Sequence, residues 1–378
     1  MINKVSLKNN INKIVNIFKN QLIFTVAVIL AIITSFFSLP KVEYIDFKVL
    51  FTLFNLMITV SAFKHLKILD KMAVGLLTKF DNSKKISFIL IYLTFFSSML
   101  ITNDVALITF VPLALIISKR AKINPIKLVI FQTLAANIGS SLTPMGNPQN
   151  LFIFSYYNLT AFEFFEIMLP FTLLGFVCLF ILNCFEKNKK LKFDLENIII
   201  ENNLHVVFFC ILFILIILSV FNIINYKLAF IITIASVLIL NKKLFLNVDY
   251  ILLLTFVCFF IFIGNLSKLP FIELLAKDFL KDKPTTYFAS IAFSQIISNV
   301  PCSILFANFT SNWRELLLGV NIGGLGTLIA SLASLISYKL YINDRSSNVQ
   351  NRYLSLYAFY NIISLLVFTV VNYFIFIF

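Results

Sequence analysis

A chain of 378 residues that is 60% hydrophobic, only 13% charged and carries 45 Phe cannot cover a water-facing surface with polar groups, which excludes a soluble globular fold. The formal charge of +14 does not indicate nucleic acid. The basic residues sit in short loops between apolar runs, the positive-inside pattern of a multi-pass membrane protein.

The N-terminus carries Lys4, Lys8, Lys13 and Lys19 before an apolar run from Leu22 to Leu39. It lacks the short apolar region and small-x-small site of a signal peptide, so it reads as a first span with its N-terminus in the cytoplasm. Further apolar segments predict spans near 46–63, 166–184, 204–221, 227–240, 248–265 and 353–376. An interfacial helix is expected at 67–80 and an amphipathic stretch at 267–281. Four regions are interrupted: 86–118 by Thr102-Asn103-Asp104, 125–157 by NIGSSLTPMGNPQN (137–150), 284–309 by Ser298-Asn299-Val300-Pro301, and 312–338 by NIGGLGTLIASLAS (321–334). The five cysteines are scattered, mostly in apolar segments, and read as small packing residues rather than redox or metal ligands.

Segment 86–118 has Lys84 and Lys85 before it and Lys119 and Arg120 after it, which predicts a helical hairpin that returns to the cytoplasmic side with Asn103 near its tip. If 284–309 is a second hairpin entering from outside, 23 basic residues fall on the cytoplasmic side and 8 on the other. The two halves then align as span, interfacial helix, hairpin and broken span. Tyr44-Ile45-Asp46-Phe47 matches Asn247-Val248-Asp249-Tyr250. The two Asn-Ile-Gly runs match at Asn137/Asn321, Gly139/Gly323 and Thr143/Thr327, with small or polar residues paired at Gly146/Ala330, Asn147/Ser331 and Asn150/Ser334. The expectation is an all-α polytopic membrane protein of two inverted repeats, each with a re-entrant helical hairpin and a broken transmembrane helix, an architecture of transporters. Its divisions are 1–45 (N-terminus and first span), 46–184 (repeat one), 185–247 (loop and two spans) and 248–378 (repeat two), with the C-terminus outside.

Breaking a helix within a bilayer frees backbone groups that only protein or a water-filled cavity can satisfy. The candidate binding residues are therefore Thr102, Asn103, Asp104, Asn137, Thr143, Gly146, Asn147, Asn150, Ser298, Asn299, Asn321, Thr327 and Ser331. Carbonyls near Thr143–Asn147 and the amides of Asn103, Asn147 and Asn299 suit Na⁺. Helix N-termini beginning just after Asn103 and near Pro301 suit an anion, with no Lys or Arg deep in the core. Asp104 is the acid near the midplane, able to balance a cation, carry a coupling proton or cap its helix. For isolated residues such as Asn55, Asn361 and Asn372, helix packing is the simpler role.

Together ITNDVALITFVPLAL (101–115), AANIGSSLTPMGNPQN (135–150), SNVPCSILF (298–306) and GVNIGGLGTLIA (319–330) give a chain that resembles the ion transporter superfamily, over about residues 20–378. That group includes arsenite permeases, bacterial Na⁺/H⁺ antiporters of the same fold, citrate transporters and divalent-anion/sodium symporters. Thr102-Asn103-Asp104 and Ser298-Asn299-Val300 are similar to the Ser-Asn-Thr tips of the symporters. The resemblance implies a cation site beside each tip, substrate between them and elevator-like movement of the hairpins. Val300 departs by lacking a hydroxyl, the acid follows rather than precedes Asn103, and the second broken helix lacks a Pro-Pro-Asn. The expected function is a secondary transporter in the cytoplasmic membrane, not an enzyme, moving a small carboxylate or oxyanion with Na⁺ or H⁺ as coupling ion. It is expected to need no cofactor, to contact lipid but no nucleic acid, and to form a homodimer. A Na⁺/H⁺ antiporter or an arsenite/antimonite efflux permease is the alternative.

Overall fold

The computed structural model describes residues 21–121, 123–190, 198–200, 202–344 and 350–377. The chain is all-helical there, as its composition predicts, and five helices are long and apolar enough to cross a bilayer by length and composition. The expected cytoplasmic N-terminus and outer Phe378 lie outside the described residues.

Helix α1 (Leu22–Ser35) stops short of the expected Leu39. Pro40 follows closely, and the residue before a proline is disfavoured in helical conformation. A 3₁₀ turn leads into α2 (Phe47–His65), α3 (Ile68–Leu77), α4 (Ser83–Ile101) and α5 (Asn103–Arg120). The first interrupted span becomes α6 (Ile126–Ser140) and α7 (Pro148–Tyr156), and α8 (Ala161–Cys184) follows. Helices α9 (Asn203–Val220) and α10 (Tyr226–Leu240) connect the halves. The same order then recurs in α11 (Tyr250–Leu266), α12 (Pro270–Phe279), α13 (Lys283–Ile297), α14 (Asn299–Ala307), α15 (Trp313–Gly323), α16 (Leu332–Asn343) and α17 (Gln350–Phe376). Helix α14 starts two residues earlier than its proline suggested, so Pro301 is the third helical residue. That position still needs no amide donor.

The repetition extends to the caps. Asp46 accepts from Val49 N at 3.0 Å and Asp249 from Leu252 N at 2.9 Å, each starting the first long helix of its half. Helix α12 turns away from α11 by 100° and exposes Phe271, Leu274, Leu275 and Phe279, as a helix lying along a bilayer surface does. Within each half the first hairpin arm packs along the first part of the broken helix, α4 on α6 and α13 on α15. Gly139 and Gly323 permit this approach. A Cβ at Gly139 would lie 2.2 Å from Phe95 O, and one at Gly323 would lie 2.6 Å from Ser294 Cβ.

Both interrupted segments 86–118 and 284–309 fold back on themselves. Ser83 and Ser118, at the far ends of α4 and α5, line one cavity together with the start of α6. The ends of α13 and α14 are tied through Thr310 Oγ1, which donates to Leu280 O at 3.0 Å. This second open end meets Tyr157, whose hydroxyl donates to Thr310 O at 2.8 Å. One hairpin thus opens where the α6–α7 pair begins and the other where it finishes.

Candidate functional site

At each hairpin tip the helix breaks at a single residue. Thr102 has φ 74° and ψ 150°, and Ser298 has φ 77° and ψ 154°. Only glycine adopts this region readily, so a side chain there costs about 1–3 kcal/mol and persists where surroundings hold it. What holds it is the broken helix of the same half. Asn103 N donates to Gly146 O at 3.0 Å, and Asn299 N donates to Ala330 O at 3.0 Å. Gly146 and Ala330 are the matched positions of the two polar runs. The next matched pair acts likewise, Thr143 Oγ1 donating to Met99 O and Thr327 Oγ1 to Gln295 O.

The two broken helices then cross and exchange hydrogen bonds reciprocally. Asn137 Nδ2 donates to Ser334 Oγ at 3.2 Å, and Asn321 Nδ2 donates to Asn150 Oδ1 at 2.7 Å. Ser331 Oγ donates to Asn137 Oδ1 at 3.0 Å, and Asn147 Nδ2 donates to Asn321 Oδ1 at 3.2 Å. Position i of one half meets j of the other while j meets i, the signature of a twofold relation. The side chains of this crossing, Asn137, Asn147, Asn150, Asn321, Ser331 and Ser334, are all buried and bonded, as polar groups in such a core must be.

Geometry therefore divides the expected binding set. Asn137, Asn147, Asn150 and Asn321 tie the crossing together, while Thr143, Thr327 and Gly146 fasten hairpin to broken helix. Several carbonyls expected to ligate a cation are already engaged: Asn150 Nδ2 donates to Ser141 O at 3.1 Å and to Thr143 O at 3.2 Å. Asn147 Oδ1 caps α7 through Asn150 N at 2.9 Å. By contrast Asn103, Asp104, Ser298, Asn299 and Ser331 line a crevice of 40 Å³ between the tips, room for a water or two. Thr102 and Asp104 also stand at the head of a cleft of 580 Å³ that runs along α2 past Lys64 and His65.

Some residues at the site were not anticipated. Gln149 is buried, lines the crevice, and its side-chain amide makes no hydrogen bond with the described residues. Asn299 likewise makes none through its side chain. Gln295 holds the second broken helix, donating to Gly323 O at 2.6 Å and accepting from Thr327 N at 2.9 Å. Asp249 joins Asp104 in the large cleft. Asp104 Oδ1 is buried without a hydrogen-bond partner among the described residues. Among the described residues no cluster of His, Cys, Asp and Glu could hold a metal ion of the kind those side chains ligate.

The repeat order, paired tips and reciprocal crossing are features of a transporter, and comparison with known proteins agrees. A family model described as citrate transporter matches residues 12–312. An uncharacterized transporter of Methanocaldococcus jannaschii is 37% identical over 320 residues, covering 84% of this chain and 87% of that protein. Inner membrane protein YbiR of Escherichia coli is 29% identical over 327 residues, 86% of this chain and 88% of that one. A putative transporter arsB of Dictyostelium discoideum is 35% identical, but over 82 residues, 22% of this chain and 14% of its own length. The chain is a multi-pass membrane transporter and belongs to the citrate transporter family.

Proposed function

We propose that the protein is a secondary active permease of the cytoplasmic membrane that moves a small anion, a carboxylate or an oxyanion, with Na⁺ or H⁺ as the coupling ion. Residues 46–184 and 248–378 act as the two inverted transport repeats, with the hairpins entering from opposite sides. The crevice between the tips carries this reading, and admitting the anion requires it to widen from 40 Å³. It is faced by the N-termini of α5 and α14 and the free amides of Asn299 and Gln149, with the Asp104 carboxyl beside them for the coupling ion, and none of its described lining residues is Lys or Arg. Helix N-termini and neutral donors hold an anion without a fixed positive charge, so release on the far side does not require breaking a salt bridge.

A second cleft, of 440 Å³, supports alternating access. Its walls are the repeat mates of the first cleft's walls: Phe260 for Met57, Ser267 for Lys64, Ile304 for Ile108, Phe152 for Ile336. The first cleft reaches the tip at Thr102 and Asp104, whereas the second ends at Ile304 and Asn308. By the charge count the open cleft faces the cytoplasm. Anion enters or leaves there while the outer path is closed.

The alternative, a Na⁺/H⁺ antiporter or an arsenite/antimonite efflux permease, draws on the partnerless Asp104 Oδ1 and on the arsB relative's name. Proteoliposomes assayed side by side for radiolabelled carboxylate uptake, arsenite flux and Na⁺/H⁺ exchange test the two readings. Anion uptake stimulated by a cation gradient is expected. Na⁺/H⁺ exchange that proceeds without any anion and is lost in Asp104→Asn would establish the antiporter in its place.

A further inference from the structure

Far from the tips, a cavity of 310 Å³ opens where both ends of the first hairpin meet the start of α6, the loop after α8 and the start of α17. Four cations line it, Lys127, Lys187, Lys189 and Arg352, against one acid, Glu186. Glu186 is already engaged, accepting from Lys127 Nζ at 2.9 Å. None of the ion pairs among the described residues uses Lys187, Lys189 or Arg352.

The loop that carries the lysines is fastened in place. Ser83 N donates to Lys189 O at 2.9 Å, Lys189 N donates to Ser83 Oγ at 2.9 Å, and Ser83 Oγ donates to Lys187 O at 3.1 Å. The charges therefore stand over a wall of fixed shape. In that wall Ser118 is 1% exposed, and its hydroxyl has no hydrogen-bond partner among the described residues. A buried hydroxyl in a helical membrane protein ordinarily finds an acceptor, and one without a partner calls for an acceptor from outside the chain. The first turn of α6 adds donors of its own. Its N-cap is Pro125, with no side-chain cap bond, and the amides of Lys127 and Leu128 have no intrahelical carbonyl to meet. Leu128, Phe131 and Leu356 supply apolar lining.

Excess positive charge, a partnerless buried hydroxyl and a helix N-terminus together suit a compact anion with several acceptor oxygens. We propose that this cavity binds a phosphate group, supplied either by the headgroup of an anionic lipid or by free phosphate. Its cations lie in loops and at helix starts that the charge count assigns to the cytoplasmic side, the leaflet in which anionic headgroups attract basic residues. The proposal is independent of what the tips transport.

The test uses the full chain in nanodiscs of three kinds: phosphatidylcholine alone, phosphatidylcholine with phosphatidylglycerol, and phosphatidylcholine with inorganic phosphate added. Thermal unfolding and retained lipid by native mass spectrometry are read for the parent, for the triple variant Lys187→Gln/Lys189→Gln/Arg352→Gln, and for Ser118→Ala. Lys242→Gln/Lys243→Gln, in another loop on the same assigned side, controls for general surface charge. One cation near an anionic surface contributes about fivefold to binding, so the triple variant should lose at least about tenfold in apparent affinity. Ser118→Ala, whose charge is unchanged, should lose less, and the control pair should match the parent. Protection by phosphatidylglycerol alone identifies a lipid headgroup; protection reproduced by inorganic phosphate identifies a free anion. A triple variant and a control that respond alike to phosphatidylglycerol, with no response of the parent to inorganic phosphate, overturns the site.

Discussion

The two hairpin tips share a backbone and differ in chemistry. At both, a residue with positive φ breaks the helix, and the next amide donates to the broken helix of the same half at 3.0 Å. At the first tip Asn103 Nδ2 is bonded to Asn137 Oδ1 at 3.3 Å, and Asp104 follows. At the second, the Asn299 side chain is bonded to no described residue, and Val300 follows. The shared part is architecture, required by any chain that must stop a helix inside a membrane. The differing part is the side chains: an acidic, braced tip in one half and a neutral tip with a free amide in the other. Under the proposed function, coupling falls to the first and direct contact with the anion to the second.

Substitution at the two asparagines should separate these roles most sharply. Asn299→Ala removes an amide that no described residue uses, so uptake should fall at least about tenfold while thermal stability barely changes, since a hydrogen bond to a charged ligand is worth about 1.5–3 kcal/mol. Asn103→Ala should abolish uptake too, but also lower the melting temperature, because Asn137 loses a buried partner. Uptake and melting temperature measured on the same preparations decide the matter. Equal destabilisation by both variants would mean that the tips differ in nothing that matters for transport.

The acid comes next. Asp104→Asn should leave anion binding close to normal and remove the stimulation of uptake by a cation gradient, since only the first tip carries a carboxylate into the crevice. Binding of a labelled anion to purified protein, compared with gradient-driven uptake in proteoliposomes, measures the two separately. A variant that loses binding and coupling to the same degree would place Asp104 among the anion's own contacts.

Access offers a smaller but direct comparison. Ile108 is half-buried in the open cleft, whereas its repeat mate Ile304 is 1% exposed. On a background without the native cysteines, Ile108→Cys should react with a membrane-impermeant thiol reagent from the cytoplasmic side. Ile304→Cys should react slowly from either side until coupling ion and substrate shift the population. Equal reactivity from the start would remove the distinction between the clefts.

Much of this was legible in the sequence because the chain repeats itself. Asn137/Asn321, Asn147/Ser331 and Asn150/Ser334 are visible as matched residues, and hairpin and broken-helix positions follow from where apolar runs are interrupted. What the match could not show is that these residues bond to each other across the halves, which leaves Asn147 and Asn150 bracing the crossing rather than facing the crevice. Reciprocal contact depends on how two segments about 180 residues apart cross, and spacing along one chain carries no such information. Gln149 and Gln295 were invisible for the opposite reason. Their repeat mates are Ala333 and Met99, so a search for repetition passes over them. A residue that breaks the symmetry leaves no matching signal in the other half.

The smallest predicted difference lies in the backbone that the tips have in common. Glycine adopts positive φ without strain, so Thr102→Gly relieves about 1–3 kcal/mol in the folded state. It also enlarges the conformational freedom of the unfolded chain, which offsets roughly 0.5–1 kcal/mol of that gain. The Thr102 hydroxyl makes no hydrogen bond with a described residue, so nothing further is lost and the variant should be neutral to slightly more stable. Ser298→Gly gains and loses the same backbone amounts but also removes the bond from Ser298 Oγ to Ala330 O at 3.3 Å, worth about 0.5–1.5 kcal/mol. It should therefore unfold at a lower temperature than Thr102→Gly in the same detergent. If Thr102→Gly proves the less stable of the two, strain is not what the positive φ at the first tip stores, and its threonine is retained there for a contact made only when the site is filled.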